Sequence, residues 1–176
     1  MLAPATYTYM SIRPYDPASD ADALWSLKRA FETGLGANTG SDDKESRYAE
    51  KLTDDYREGY LEWVDRCVAH DERSVQVAVA DGDGPDPDLT GYVFVLPDTH
   101  AYIWDAAVLN EIYVAESVRG TGVADELIDA AVSAVREQDL PLERLVLDVD
   151  RENERARAFY ERHGFDHWGE LVAREL

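Results

Sequence analysis

Apolar and polar positions sort this chain into short β-type runs and longer stretches with apolar residues every three or four positions. Tyr7 to Arg13 reads as a strand. Ala18 to Leu35 reads as a helix, with Leu24, Leu27, Ala30 and Phe31 on one face and Ser19 or Asp20 as N-cap. Gly34, Gly36 and Gly40 break that pattern, and a second, longer helix is expected from about Asp43 to Ala69. Ser74 to Ala80 and Gly91 to Leu96 are expected to form a hairpin across the turn-rich segment 81–88. Pro97 to Asp105 reads as an irregular approach to a fourth strand, Val108 to Val114. A helix from Ala124 to Val135, a compact apolar strand Leu145 to Val149, a helix from Asn153 to His163 and a strand opening at Phe165 complete the pattern. The order predicts one mixed α/β domain.

Two stretches within this frame carry candidate chemistry. In the first, the fourth strand runs through Arg119-Gly120-Thr121-Gly122-Val123-Ala124 into a helix. The first amides of a helix lack intrahelical partners, and its dipole favours an anion there. Gly120 and Gly122 permit positive φ and close approach of a ligand, and Arg119 adds a charge suited to phosphate. The turn alone equally fits an ordinary strand-to-helix connection. In the second stretch, Asn153 stands at an N-cap position. Ala156, Phe159, Tyr160 and His163 fall on one helical face, and Gly164 stops the helix.

Together the two stretches resemble the GCN5-related N-acetyltransferase superfamily. Its Arg/Gln-x-x-Gly-x-Gly/Ala motif matches Arg119, Gly122 and Ala124. Its Asn-x-x-Ala-x-x-Phe-Tyr-x-x-x-Gly-Phe motif is filled at every position from Asn153 to Phe165. The resemblance implies a mixed, mostly antiparallel sheet of six or seven strands, with splayed central strands and flanking helices. It implies acetyl-coenzyme A as co-substrate. The pyrophosphate would lie on Arg119, Gly120, Thr121, Gly122, Val123 and Ala124, and the pantetheine arm on Ile112, Tyr113 and Val114. Asn153 would contact the cofactor, and Tyr160 would protonate the departing thiolate. The implied reaction is direct transfer to a primary amine in a ternary complex.

That transfer needs a base, because an amine at neutral pH is mostly protonated. Glu111, a charged residue within an apolar strand, is the first choice for it, and a rim carboxylate without catalytic role is the alternative. Asp148 is the second choice, because the similar ribosomal-protein alanine acetyltransferases carry a Glu at that place. Strand alternation puts Glu111 and Tyr113 on one face unless a bulge intervenes. The acceptor wall implied by the resemblance includes Tyr48, Tyr56, Tyr60 and Trp63, with Trp104 later in the chain. The stripe Tyr48, Leu52, Tyr56, Tyr60 suits a core as well as a pocket. An aromatic, acidic cleft would suit a cationic amine, either a small molecule or a protein N-terminus. Transfer of a longer acyl group, a non-catalytic acyl-coenzyme A-binding or regulatory module, and a protein-interaction domain are the competing readings.

Charge narrows the partners. The formal net charge is −20, with 37 acidic against 17 basic residues. That balance repels nucleic acid and anionic membrane surfaces. The acids are spread along the chain and only Lys28, Lys44 and Lys51 are lysines, which suits a salt-rich cytoplasm. A cytoplasmic location is also expected from the absence of a membrane-length apolar run or a leader-like N-terminus. The single cysteine, Cys67, reads as a buried thiol beside Val64 and Val68. Segment 81–88 lacks calcium-loop spacing, and Gly164 separates His163 from His167, so no metal is expected. A sheet edge left open after Phe165 would give a second copy of the chain a place to pair.

Overall fold

The computed structural model describes residues 10–38, 42–80, 88–174 and 176, without the side chains of 36–38 and 42–45. Strands β1 (Met10–Pro14), β2 (Val75–Ala80), β3 (Asp88–Val95), β4 (Ala107–Val114) and β5 (Leu145–Val146) lie side by side in chain order. All neighbours are antiparallel except β4 and β5, which run parallel. Helices α1 (Ala21–Asn38), α2 (Asp42–Glu50) and α3 (Asp54–His70) separate β1 from β2. Helix α4 (Val123–Val135) follows β4, and α5 (Glu154–Arg162) follows β5.

The sheet buries both faces. On one, Leu24 and Leu27 of α1 and Tyr60, Val64 and Cys67 of α3 meet Val75, Val77, Tyr92 and Phe94. On the other, Val123, Leu127, Ile128 and Ala131 of α4 meet Ala78, Val93, Val95, Leu109 and Val114. Strands β2 and β3 therefore read as nearly continuous apolar runs rather than strict alternations. Cys67 is a buried thiol within the α3 side of this core.

The single helix expected over 43–69 is two helices, because Thr53 interrupts it. Thr53 Oγ1 accepts the Tyr56 N–H at 3.2 Å, with Asp54 and Asp55 in the first turn. A cap of this kind stabilises a helix start by about 1 kcal/mol. The stripe splits with it: Tyr48 lies before the break, whereas Tyr56 and Tyr60 stack beyond it at 6.4 Å. The expected loop after Pro97 contains a short 3₁₀ helix, Asp98–Ile103. The hairpin connection 81–87 and residues 7–9 of the first strand lie outside the described residues.

The expected six or seven strands are corrected to five among the described residues. β5 is two residues long instead of five, and residues 165–174 form no strand. Trp168, Leu171 and Val172 are exposed, so that segment has no buried face with which to pay for strand order. Arg144 stacks over Trp168 at 4.1 Å, and Arg151 pairs with Glu170.

One glycine sets the spacing of the central layers. A Cβ on Gly91 would meet the Tyr113 carbonyl oxygen at 2.8 Å and Leu127 Cδ1 at 3.2 Å. Gly91→Ala is expected to lower stability by about 1–3 kcal/mol, read as a lower urea midpoint with unchanged m.

Candidate active site

β5 pairs with β4 only at Ala107 and Val108. Beyond Val108 the edge of β4 has no strand neighbour among the described residues. Ala115 N–H donates to Thr90 O at 2.8 Å on β3. Alternation then turns the backbone groups of Ile112 and Val114 the other way, into the gap. Arg119 Nε donates to Val114 O at 3.1 Å, and its guanidinium lies 5.6 Å from the Tyr113 ring. Ile112, Tyr113 and Val114 therefore line a cleft between the two halves of the sheet.

The turn after β4 closes one end of that cleft. Gly120 and Gly122 have φ of 81° and 94°, and a Cβ at either would meet nothing within 4 Å. Backbone conformation demands glycine here, and the space in front is open. Gly122 caps α4 without a side chain, so the first-turn amides face that space unblocked. Arg119, Gly120, Gly122 and Ala124 line the cleft, while Thr121 turns back to donate to Val118 O at 2.6 Å. Val123 is buried under the turn. The open cradle, the amides and Arg119 together suit a pyrophosphate.

Glu111 sits deeper than a rim position. Between Phe94 and Val95 the β3–β4 register shifts, leaving Asn110 as an extra residue in β4. This bulge puts Leu109 and Glu111 on opposite faces although they are two apart. Leu109 joins the α4 core, and Glu111 points to α1 and α3. Glu111 is 5% exposed. Lys28 Nζ donates to its Oε1 at 2.5 Å, and the Tyr60 and Tyr92 hydroxyls donate to Oε2 at 2.8 and 2.7 Å. Asn110 Nδ2 lies 3.3 Å from Oε1. Lys28 also reaches Glu32 at 2.6 Å, and Lys51 lies 2.8 Å from Glu32 on the other side. Burial alone pulls the Lys28 ammonium down, but Glu111 and Glu32 outweigh it and hold it above its ordinary value. Burial, then the Glu111 charge, pushes both phenols up.

Helix α5 forms the far wall. Asn153 Oδ1 accepts the Ala156 N–H at 3.1 Å, the N-cap its position predicts. Gly164 ends the helix at φ 83°. Tyr160 lines the cleft between Phe159 and Phe165, with centroids 5.4 and 5.6 Å away. Burial pushes its phenol up to about 12, so it carries its proton at neutral pH. Arg162 and His163 hold Asp125 of α4 at 2.9 and 2.7 Å, tying α5 to the first turn of α4. Asp148, exposed just beyond β5, opens onto the same cleft. The structure thus places the expected catalytic and cofactor residues around one cleft, except Thr121 and Val123, whose side chains turn away. Of the expected acceptor wall, Tyr48 and Trp104 line it, whereas Tyr56, Tyr60 and Trp63 pack in or against the core.

Residues 38–165 match the acetyltransferase (GNAT) family. The chain belongs to that family. An acetyltransferase (GNAT) fold also recurs in solved structures. The PaiA N-acetyltransferase of Thermoplasma acidophilum, solved with coenzyme A, has a TM-score of 0.65 and 20% identity over 90% of each chain. AAC(6')-Iy, solved with a CoA-S-monomethyl-acetylneamine bisubstrate analog, has a TM-score of 0.65 and 18% identity over 96% of this chain and 98% of that one. The ribosomal-protein-alanine N-acetyltransferase of Brucella melitensis biovar Abortus 2308 has a TM-score of 0.54 and 22% identity, over 95% and 100%. The 5-NmdU N-acetyltransferase of Pseudomonas phage PaMx11 is 40% identical over 68 residues, which span 39% of this chain and 45% of the phage protein. Among the described residues no helix is long and apolar enough to cross a membrane, and no group of three metal-ligating side chains occurs.

Sequence reasoning on this family member missed Lys28, Tyr92 and Glu32. Lys28 and Glu111 are 83 positions apart, and no local periodicity links them. The available signal was a charged residue on the apolar side of each element. Lys28→Met would leave Glu111 buried without its cation, and is expected to cost about 3–5 kcal/mol in denaturant unfolding. A raised folded-state value stabilises below the ordinary lysine range and is lost as pH rises. The gap between wild type and variant should therefore narrow above about pH 10.

Proposed function

We propose that this protein is an acetyl-coenzyme A-dependent N-acetyltransferase that transfers the acetyl group directly to a primary amine. The observation that carries this reading is the splayed edge of β4 running into an uncapped glycine turn, within one cleft that also holds Tyr160. The amides from Gly120 to Ala124, with Arg119, hold the pyrophosphate. The free backbone groups of Ile112 and the N–H of Val114, whose carbonyl Arg119 already occupies, pair with the pantetheine arm, and Asn153 lies alongside it. An N–H of this edge polarises the acetyl carbonyl. Tyr160, protonated at neutral pH, gives its proton to the leaving thiolate.

The base is better assigned to Asp148, or to water held against it, than to Glu111. Both Glu111 oxygens already accept from Lys28, Tyr60 and Tyr92. With both oxygens turned to these donors, Glu111 offers none to an amine in the cleft and instead anchors β4 to α1 and α3. The phage relative's name makes 5-NmdU one candidate acceptor.

Titration calorimetry of acetyl-coenzyme A at high salt tests the cofactor site. Wild type is expected to bind, and a folded Gly122→Glu variant to bind at least about 100-fold more weakly, because its carboxylate enters the phosphate cradle. No binding to folded wild type overturns the reading. Tyr160→Phe is expected to keep cofactor affinity and lose about 10²-fold or more in kcat. Unchanged turnover would remove the acid role.

A further inference from the structure

The cleft departs from the charge of the chain that forms it. The chain carries −20, yet the residues lining the cleft include nine Lys or Arg and nine Asp or Glu. The excess acid therefore lies on other surfaces. On the wall made by α1 and the turn between α2 and α3, the balance is inverted: Lys28, Arg29 and Lys51 stand against Glu32 and Glu111.

The groups that would greet a cation there are occupied. Glu111 and Glu32 are buried, and Lys28 joins them at 2.5 and 2.6 Å. Lys51 Nζ lies 2.8 Å from Glu32 Oε2, an ion pair off the direction of a hydrogen bond. The aromatic rings are taken as well. Lys28 sits over Phe31 and Tyr60 at 5.2 and 4.8 Å, and Lys51 over Tyr48 and Tyr56 at 4.6 and 5.5 Å. A polyamine would meet a wall of net positive charge with no open carboxylate on it. Arg29, by contrast, is exposed at the cleft and its guanidinium has no ion pair among the described residues. A guanidinium in that state suits a carboxylate or phosphate, which it binds through two parallel N–H groups.

We propose that the acceptor is an amine that also carries an acidic group, carboxylate or phosphate, and that Arg29 binds that group. This rests on the acetyltransferase reading and adds the class of acceptor to it. It differs from the reading in which an aromatic, acidic cleft takes an amine for its positive charge alone.

The test compares four acceptors by release of free coenzyme A thiol: an α-amino acid, an amine-bearing nucleoside monophosphate, spermidine and an aminoglycoside. The first two separate a carboxylate from a phosphate source. One of them is expected to exceed both polycations in kcat/KM by about tenfold or more. Arg29→Glu and Arg29→Gln, at an exposed position that leaves the fold intact, should raise KM for that acceptor by about 10- to 100-fold. The KM for acetyl-coenzyme A and kcat should stay within about twofold. Preference for a polycation, an acceptor KM indifferent to Arg29, or no turnover of either acidic amine by protein that binds acetyl-coenzyme A would each overturn the proposal. Absence of acetyl-coenzyme A binding would instead sink the acetyltransferase reading, and the acceptor class with it.

Discussion

One extra residue in β4 governs the arrangement of the cleft. Asn110 has no partner in β3, and it stands two residues after Val108, the last residue that pairs with β5. A bulge bends and twists its strand. Here the bend coincides with the point where β4 and β5 part, and the gap between them is the cleft. The same residue changes the face of everything after it. Without it Glu111 would share the apolar face of Leu109 under α4, and a buried carboxylate there would be very costly. With it, Glu111 reaches Lys28, Tyr60 and Tyr92.

The ionic chain built on Glu111 links three parts of the fold. Glu111 of β4, Lys28 and Glu32 of α1 and Lys51 after α2 alternate in sign at 2.5 to 2.8 Å. Buried pairs of this kind gain little net stability over a hydrophobic replacement, but breaking one partner is expensive. Their effect is to fix geometry: α1 is held against the bulge, and the turn between α2 and α3 against α1. The tyrosines complete the donor set of a carboxylate that would otherwise keep open lone pairs. The far wall has its own tie, where Asp125 of α4 holds Arg162 and His163 of α5 and so sets the helix that carries Tyr160.

These internal ions explain how a chain of −20 keeps a neutral cleft. Acids near the cleft are matched by lysine and arginine drawn from a small supply, and the unmatched acids lie elsewhere. Salt screens such exposed charges over about 8 Å at physiological ionic strength, and over less in strong salt. The phosphates of a coenzyme A would thus approach a surface that repels them from afar and accepts them within the cleft.

The sequence determined what depends on near neighbours. The glycine turn, the Asn153 cap, the Gly164 stop and the apolar runs of β2, β3 and β4 follow from backbone preference and periodicity within a few residues, and the structure contains them. The break at Thr53 was also local, a Thr followed by two Asp, although periodicity across it suggested one helix. Tertiary structure decided the rest. β5 is short and residues 165–174 stay out of the sheet because a strand needs a neighbour, and alternation within the segment supplies none. Glu111, from sequence the first choice for the base with a rim carboxylate as the alternative, lies at the centre of a buried cage because one bulge turns it to the face opposite Leu109. Lys28 reached it from 83 positions away. Register and long-range charge pairing depend on which surfaces meet, and no local pattern records that.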